Sequence, residues 1–590
     1  MTDTLIVVGA RLNSSRLPRK HLLPLAGKPL IERLFERLET IGGDRKIVLA
    51  TTADEFNKPL VEWAEGTGRE VYAYEGDVDD LVGRIHALFE RVRPRRLVYI
   101  CGDCPLIDSQ LIERLLEALA QTKSGQMAHQ AKVAPDPEGR ETVHEGIHVY
   151  SAEGWQRLEQ KSVTALEREH VGLADRENPV LDAVYIDLPE SHWGIKQRFS
   201  VDTAADYHFQ ELVYSRWFSR NAPSKPVDIN WLLQELRSHP ELRAINAHVM
   251  QKSGFRRYGK ALFLAEASPR RGLGQLRRMV TLAERLQEES GMGAEIWILG
   301  EETELDWLKF THQRWFISVE TLIQELEKHS ASLVVVDLWP QNTPSWRHLR
   351  QSLKKIKNSG TYLVGIDRMT EWHSVCDSVI VPGFYLSKRT SSTKVVYGLE
   401  YVILPRQLPV DLAAANNCDV LVLTGGSDAC GYGSFLPDRL DRYLPPSTHL
   451  LWVQGPYAVA PRLPRNTRCQ WRIVRSPGQL EQLISSAKVV LAVYGVSVLE
   501  ALAACVPTVV LPAPGVVAPE ELEDFEALGV ALVWRTPQTD EPVLLRDLLS
   551  SESLRYEVHQ HLAAKDLKNG TARVVSHVLK GLARSSEGKV

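Results

Sequence analysis

Short apolar runs alternate along the chain with stretches whose apolar residues recur at helical spacing. LIVV (5–8), KIVLA (46–50) and RLVYI (96–100) are nearly continuous in apolar character, as suits buried strands of a parallel sheet. Between the first two, Leu30, Ile31, Leu34, Phe35 and Leu38 fall on one helical face, with Pro29 at the first turn. Alternation of this kind predicts an α/β fold with helices on both faces of a sheet.

The pattern pauses near 219–260, where NAPSKPVDIN and the basic GFRRYGK interrupt it, and a domain boundary is placed near 250–258. It restarts with ALFLAEA (261–267), a Gly-containing turn and a helix, then EIWILG, SLVVVDL and TYLVGID. A break near 405–415 leads into DVLVLTGG (419–426), HLLWVQG, KVVLAVYG and TVVLP. The expected organisation is one α/β domain over 1–252 and two further α/β lobes, 258–405 and 406–590, facing a cleft. No internal repeat is visible.

Composition narrows the class. The chain is 44% hydrophobic and 24% charged, with a net charge of −4, so no overall field draws nucleic acid or an anionic membrane. The most apolar stretch, 489–517, is broken by Gly495, Glu500, Pro507, Pro512 and Pro514 and reads as strand, helix, strand rather than a membrane span. Seven cysteines without framework spacing suggest reduced thiols, and a cytoplasmic location is expected.

The strongest local signal is GARLNSSRLPRKHLLPLAGKPLIERL (9–34). A strand ends, and its loop supplies Ala10, Arg11, Ser14, Ser15, Arg16 and Lys20 where loop amides and cations suit a triphosphate. A solvated basic loop has the same spacing. YICGDCPLID (99–108) puts Gly102 and Asp103 at the end of another predicted strand, and Asp202 of RFSVDTAAD (198–206) follows a short strand-like run. Two carboxylates converging there could hold Mg²⁺; either alone could be a helix N-cap. Cys101 and Cys104 form a lone CxxC without a second pair, which argues against a zinc site.

These segments, with EGDVDDLVGR (75–84), EREHV (167–171) and HPELRAIN (239–246), occur in an order that resembles the cytidylyltransferases of spore-coat polysaccharide and pseudaminic acid synthesis, over about residues 1–252. The resemblance implies transfer of a nucleotide from CTP to a sugar acid, giving a CMP-sugar and pyrophosphate. Arg11, Lys20 and Asp103 would be the catalytic set, Arg11, Arg16 and Lys20 would hold phosphates, and Asp103 and Asp202 would hold Mg²⁺. A homodimer is left open. Asn13 stands where the family usually has Gly, which Asn's tolerance of left-handed backbone would accommodate. EGIHVYS (145–151) places His148 or Val149 where a carboxylate is expected, so a sugar phosphate or phosphonate acceptor is the alternative.

In the second half, EASPRRGLGQLRRM (266–279) carries Gly272 and Gly274 in a turn before a helix. TGGSDACGYG (424–433) supplies Gly425, Gly426 and Ser427, and YGVSVLEALAACVPTVV (494–510) supplies Gly495, Ser497 and Glu500. Free amides after such turns bind phosphates, and Glu500 could accept bonds from a ribose diol; tight loops and a helix cap are the plainer alternatives. With YGLEYVILP (397–405), these segments resemble the UDP-sugar hydrolase of pseudaminic acid synthesis, of two-lobed glycosyltransferase-B architecture, over roughly 258–570. The resemblance implies a UDP-sugar ligand. That family's Gly-x-Gly-His ends here in Gln275, and an amide cannot act as a general base. A non-catalytic nucleotide-sugar module is therefore as open as an altered enzyme.

Overall fold

The computed structural model describes residues 3–587 except 123, 131–145, 193–194, 196, 251–258, 384–391, 406–417, 478–479, 515–518, 528, 530–531, 566 and 568. The chain divides into two compact units, Met1–Arg257 and Tyr258–Val590. Residues 251–258 of the linker region expected at 250–258, Glu145 of the EGIHVYS segment and the start of the expected third domain at 406 lie outside the described residues.

The first unit is built on β1 (Thr4–Gly9), β2 (Arg45–Thr52), β3 (Glu70–Tyr74), β4 (Arg96–Cys101), β5 (Met127–Gln130), β6 (Ile147–Ser151) and β7 (Ala183–Ile186). They form one sheet in the order β3-β2-β1-β4-β6-β5-β7, parallel except for β6, which runs against both neighbours. Ile6 and Val8 pack into one core layer and Leu5 and Val7 into the other, which is why β1 reads as an unbroken apolar run. Helix α1 (Leu30–Leu38) buries all five residues of its predicted face. Helices α2 (Leu81–Val92), α3 (Ser109–Gln121) and α4 (Ala204–Phe218) are N-capped by Asp80, Asp108 and Thr203.

The second unit has two parallel sheets. The first joins β8 (Lys260–Glu266), β9 (Gly293–Leu299), β10 (His312–Phe316), β11 (Leu333–Asp337), β12 (Tyr362–Ile366), β13 (Ser378–Pro382) and β14 (Val395–Gly398) in the order β10-β9-β8-β11-β12-β13-β14. The second joins β15 (Cys418–Leu423), β16 (His449–Gln454), β17 (Gln470–Arg475), β18 (Ala487–Val493), β19 (Thr508–Leu511) and β20 (Leu532–Val533) in the order β17-β16-β15-β18-β19-β20. Each central strand again feeds two core layers, as Phe263 and Leu264 of β8 do. Helices α5 (Gly274–Ser290) and α6 (Val496–Ala503) follow β8 and β18. Two parallel-stranded lobes with a cavity between them make the glycosyltransferase-B-like arrangement. Among the described residues no helix is long and apolar enough to cross a membrane.

Candidate active site and the second cavity

The site in the first unit begins at two adjacent strand ends. Gly9 of β1 pairs in register with Cys101 of β4, and the Gly102 amide donates to the Gly9 carbonyl at 2.9 Å. A Cβ on Gly102 would lie 2.7 Å from that carbonyl oxygen and 2.9 Å from the Ala10 Cβ, so the two loops approach this closely only with glycine there.

Past this contact the chain places Lys20 beside Asp103. Lys20 Nζ lies 2.6 Å from Asp103 Oδ2 and 2.8 Å from Asp202 Oδ1, and the lysine is buried. Burial alone disfavours its charge, but the two carboxylates prevail and raise its pKa. Asp202 also forms an ion pair with Arg16 Nη2 at 2.9 Å and another with Arg198. Its own burial works against ionisation, yet Lys20, Arg16 and Arg198 together hold its pKa well below the ordinary carboxylate range. His21, buried beside Lys20, is pushed down to about 3 and is neutral.

Neither aspartate is a helix cap. Asp202 precedes the Thr203–Asp206 capping box of α4, whose buried Asp206 accepts from the Asp202 and Thr203 amides at 3.0 Å each. Asn246 donates to Asp206 Oδ1 at 2.9 Å, so the HPELRAIN segment supports the metal-ligand candidate from behind. The strand-like run expected before Asp202 is absent: residues 198–202 form no strand, because their amides serve loop contacts such as Val201 to the Asp103 carbonyl.

Arg11 has a different set of partners. Its guanidinium donates to the Val78 carbonyl at 3.2 Å and pairs with Asp79 and with Glu169 at 3.3 Å, joining the EGDVDDLVGR and EREHV segments. Asp80 and Arg168 of the same segments form a two-pronged pair at 2.9 Å on each prong. Ser14 Oγ accepts from the Leu17 amide at 3.4 Å, which shapes the loop that carries Ser15 and Arg16. Asn13 does not use left-handed backbone; Arg19 (φ 53°) and Ala26 (φ 50°) do. The substitution at Asn13 therefore needs no conformational tolerance.

His148 lies on β6 opposite Tyr99 of β4, its ring centroid 5.7 Å from that tyrosine and its Nδ1 3.4 Å from the Tyr150 hydroxyl. Val149 points to the other face and is buried in the core. Cys101 and Cys104 are free thiols, and burial next to Asp103 pushes Cys101 up to about 12.

As a cation site, the donor set is two carboxylates already drawn to one positive charge. Among the described residues no three His, Cys, Asp or Glu side chains cluster to hold a metal. Two carboxylates, with phosphate and water completing the shell, suit a small hard divalent ion and do not suit zinc.

Residues 5–212 match the cytidylyltransferase family. That match lies within the first unit. The spore coat polysaccharide biosynthesis protein SpsF of Bacillus subtilis is 26% identical over 225 residues, 37% of this chain and 88% of that protein. The 3-deoxy-manno-octulosonate cytidylyltransferase of Sodalis glossinidius is 34% identical over 122 residues, 20% of this chain and 47% of that protein. The structure of Acinetobacter baumannii MurG is similar at 16% identity and TM-score 0.37, covering 54% of this chain and 99% of that one.

In the second unit the glycine-rich segments of both lobes line one cavity of about 360 Å³. Gly272, Gly274 and Gln275 reach it from the first lobe; Gly425, Gly426, Ser427, Gly495, Ser497 and Glu500 reach it from the second. The lobes touch closely there, since a Cβ on Gly426 would lie 2.8 Å from Leu273 Cγ. Glu500 is neither cap nor surface residue: it is 7% exposed, and its Oε2 has no hydrogen-bond partner. Burial pushes its carboxyl up to about 8, although the nearby Arg277 charge opposes this. Sequence reasoning missed the first-lobe wall, where Arg278 binds the fully buried Asp337 at 2.9 and 3.1 Å and Asp367 at 2.9 Å.

Proposed function

We propose that the first unit transfers a cytidylyl group from CTP to the hydroxyl of a nonulosonic, sialic-like sugar acid, releasing pyrophosphate, for surface polysaccharide synthesis in the cytoplasm. The observation that carries this reading is Lys20 held between Asp103 and Asp202 at the ends of adjacent strands, beside the Arg16 loop. The sugar hydroxyl attacks the α-phosphorus in line, and the bond to the pyrophosphate oxygen breaks. Arg16 and Lys20 supply fixed positive charge where the leaving pyrophosphate gathers negative charge. Arg11, steadied by Asp79 and Glu169, supplies a third cation at the mouth of the loop. Asp103 and Asp202 would hold Mg²⁺, which when bound neutralises phosphate charge and orients the triphosphate.

The sugar acid is favoured by the cytidylyltransferase relatives, one named for 3-deoxy-manno-octulosonate. A sugar phosphate or phosphonate is the second reading, favoured by the aromatic setting of His148 between Tyr99 and Tyr150. Purified protein with CTP, Mg²⁺ and a panel of nonulosonic acids should release pyrophosphate. Silence across that panel, with release from a sugar phosphate, would decide for the second reading.

For the second unit we propose nucleotide-sugar binding without hydrolysis, a UDP-sugar being the expected ligand. The Gly-rich turns and the buried Glu500 carboxyl, whose Oε2 has no hydrogen-bond partner, lie in one cavity and support binding. Gln275 at the mouth of α5 cannot take a proton from water. Calorimetry with UDP-sugars beside a hydrolysis assay tests it: binding without turnover is expected, and robust turnover would overturn it.

A further inference from the structure

All four carboxylate oxygens of Asp103 and Asp202 in the first unit are engaged. Asp103 Oδ1 accepts from the Cys104 thiol at 3.5 Å. Asp202 Oδ2 meets both Arg16, at 2.9 Å, and Arg198. The two oxygens that remain, Asp103 Oδ2 and Asp202 Oδ1, converge on Lys20 Nζ at 2.6 and 2.8 Å. These are the oxygens a bridging divalent ion needs, since the others are turned to a thiol and to two guanidinium groups. Lys20 therefore stands in the cation seat itself, with its side chain only 8% exposed.

The groups around that seat balance without a metal. Lys20, Arg16 and Arg198 face the carboxyl groups of Asp103, Asp202 and the buried Asp206, whose Oδ2 lies 3.5 Å from Arg198 Nε. A divalent ion arriving by itself would add two positive charges beside these cations, in a place where water screens little. A triphosphate reverses that balance by bringing several negative charges. Lys20 has the means to respond, because its ammonium rides on a flexible four-carbon stem and can turn from a carboxylate to a phosphate without a backbone movement.

We propose that Lys20 is the placeholder for the divalent ion: it fills the seat between Asp103 and Asp202 in the nucleotide-free protein, excludes the ion, and yields the seat when a triphosphate draws it away. The inference rests on the reading of Asp103 and Asp202 as metal ligands of a nucleotidyl-transfer site. Ion and nucleotide each meet a penalty that the other removes. That is a positive coupling between them, with Lys20 as its two-position element.

The test is titration of the nucleotide-free full chain with Mn²⁺, followed by the paramagnetic resonance signal of the free ion; carboxylates accept Mn²⁺ as they do Mg²⁺. Lys20→Met should bind the ion at least about tenfold more tightly than the wild type, a fraction of the repulsion between an ammonium and a divalent ion sharing two oxygens. Where Lys20→Met does not fold, Lys20→Gln, which keeps a donor for one carboxylate, takes its place. Lys20→Arg, which keeps the charge, should bind as weakly as the wild type. Adding Asp103→Asn to Lys20→Met should abolish the gain. Equal affinity in the wild type and the neutral variants, a gain that survives Asp103→Asn, or wild-type binding as tight as that of Lys20→Met overturns the placeholder. Calorimetry reads the coupling: CTP should bind the wild type at least about tenfold more tightly with saturating Mg²⁺ than without it, a difference that Asp103→Asn removes. Equal CTP binding with and without Mg²⁺ overturns the joint entry. None of these measurements needs turnover, so failure of the placeholder leaves the transfer reaction to be judged by wild-type pyrophosphate release, and silence there leaves the Mn²⁺ result standing.

Discussion

The amide of Val201 donates to the carbonyl of Asp103 at 2.9 Å, and this main-chain bond brings two loops distant in sequence to one point. Asp202, the next residue, thereby meets Lys20 from the side opposite Asp103. Replacing Asp202 with Asn keeps the shape and removes the charge that three cations share. Pyrophosphate release should fall by about 100-fold or more, as expected when a preorganised charge is lost from a transfer site. Asp103→Ala should do the same. Either variant retaining wild-type turnover would remove these residues from the reaction.

The same cluster sets an acid limit. Asp202 has a folded-state pKa below its unfolded value, so its stabilisation is complete above the ordinary carboxylate pKa of about 4 and drains as pH falls below it. Wild-type denaturation midpoints should drop between about pH 4 and 2 more steeply than those of Asp202→Asn. Parallel curves would show that the cluster holds no such stabilisation.

Gly102 is where packing and chemistry meet. Its missing side chain lets β4 lie against the Gly9 carbonyl, a rigid main-chain neighbour at 2.7 Å from the virtual Cβ. Gly102→Ala should cost about 1–3 kcal/mol in a denaturant titration, as overpacking does, and displace Asp103 with it. Turnover should fall further than stability alone explains.

Much of this was legible in the sequence, and the gaps have physical reasons. The α1 face from Leu30 to Leu38 followed from spacing, because burial of an amphipathic stripe is a local property. Spacing gave no sign that Arg33 and Arg37 on the same helix are buried as well. Arg37 donates to the Ile107 and Val227 carbonyls, partners that lie in other loops. The order of motifs pointed to the first site, yet Arg11's pairing with Asp79 and Glu169 depends on two loops and a helix end meeting. Trp339 and Arg368 follow ordinary strands, and only the sheet order brings them beside Arg271.

Glu500 offers a measurement that needs no ligand. Its folded-state pKa of about 8 lies above the unfolded value, so the folded chain holds a proton that the unfolded chain releases. Its contribution to stability is therefore greatest below about pH 4.5 and declines as pH rises toward 8. Glu500→Gln should flatten that decline by on the order of 2 kcal/mol, read as a stability gain at pH 8 and little change at pH 5. A ligand that donates hydroxyls to this carboxylate favours its ionised form, so binding to the wild type should release protons near pH 7. Calorimetry in buffers of different ionisation enthalpy would register that release, and its absence in the wild type would detach Glu500 from the ligand.

Gln275 carries the sharpest question about the second unit. Its Nε2 lies 3.5 Å from Asp337 Oδ1, a carboxylate that could orient an imidazole at the same position. Arg278 already holds Asp337 through two hydrogen bonds and would keep a neighbouring imidazole neutral, which is the form a general base needs. Gln275→His should therefore gain hydrolysis of a bound nucleotide sugar, rising about 10²-fold above the wild-type background through the ordinary histidine range of pH 6–7. Ligand affinity should change little, since the Gly-rich turns and Glu500 are untouched. A variant that binds and still does not hydrolyse would mean the wall built on Arg278, Asp337 and Asp367 has been shaped away from water activation, and that a single exchange at Gln275 does not separate a binding module from an enzyme.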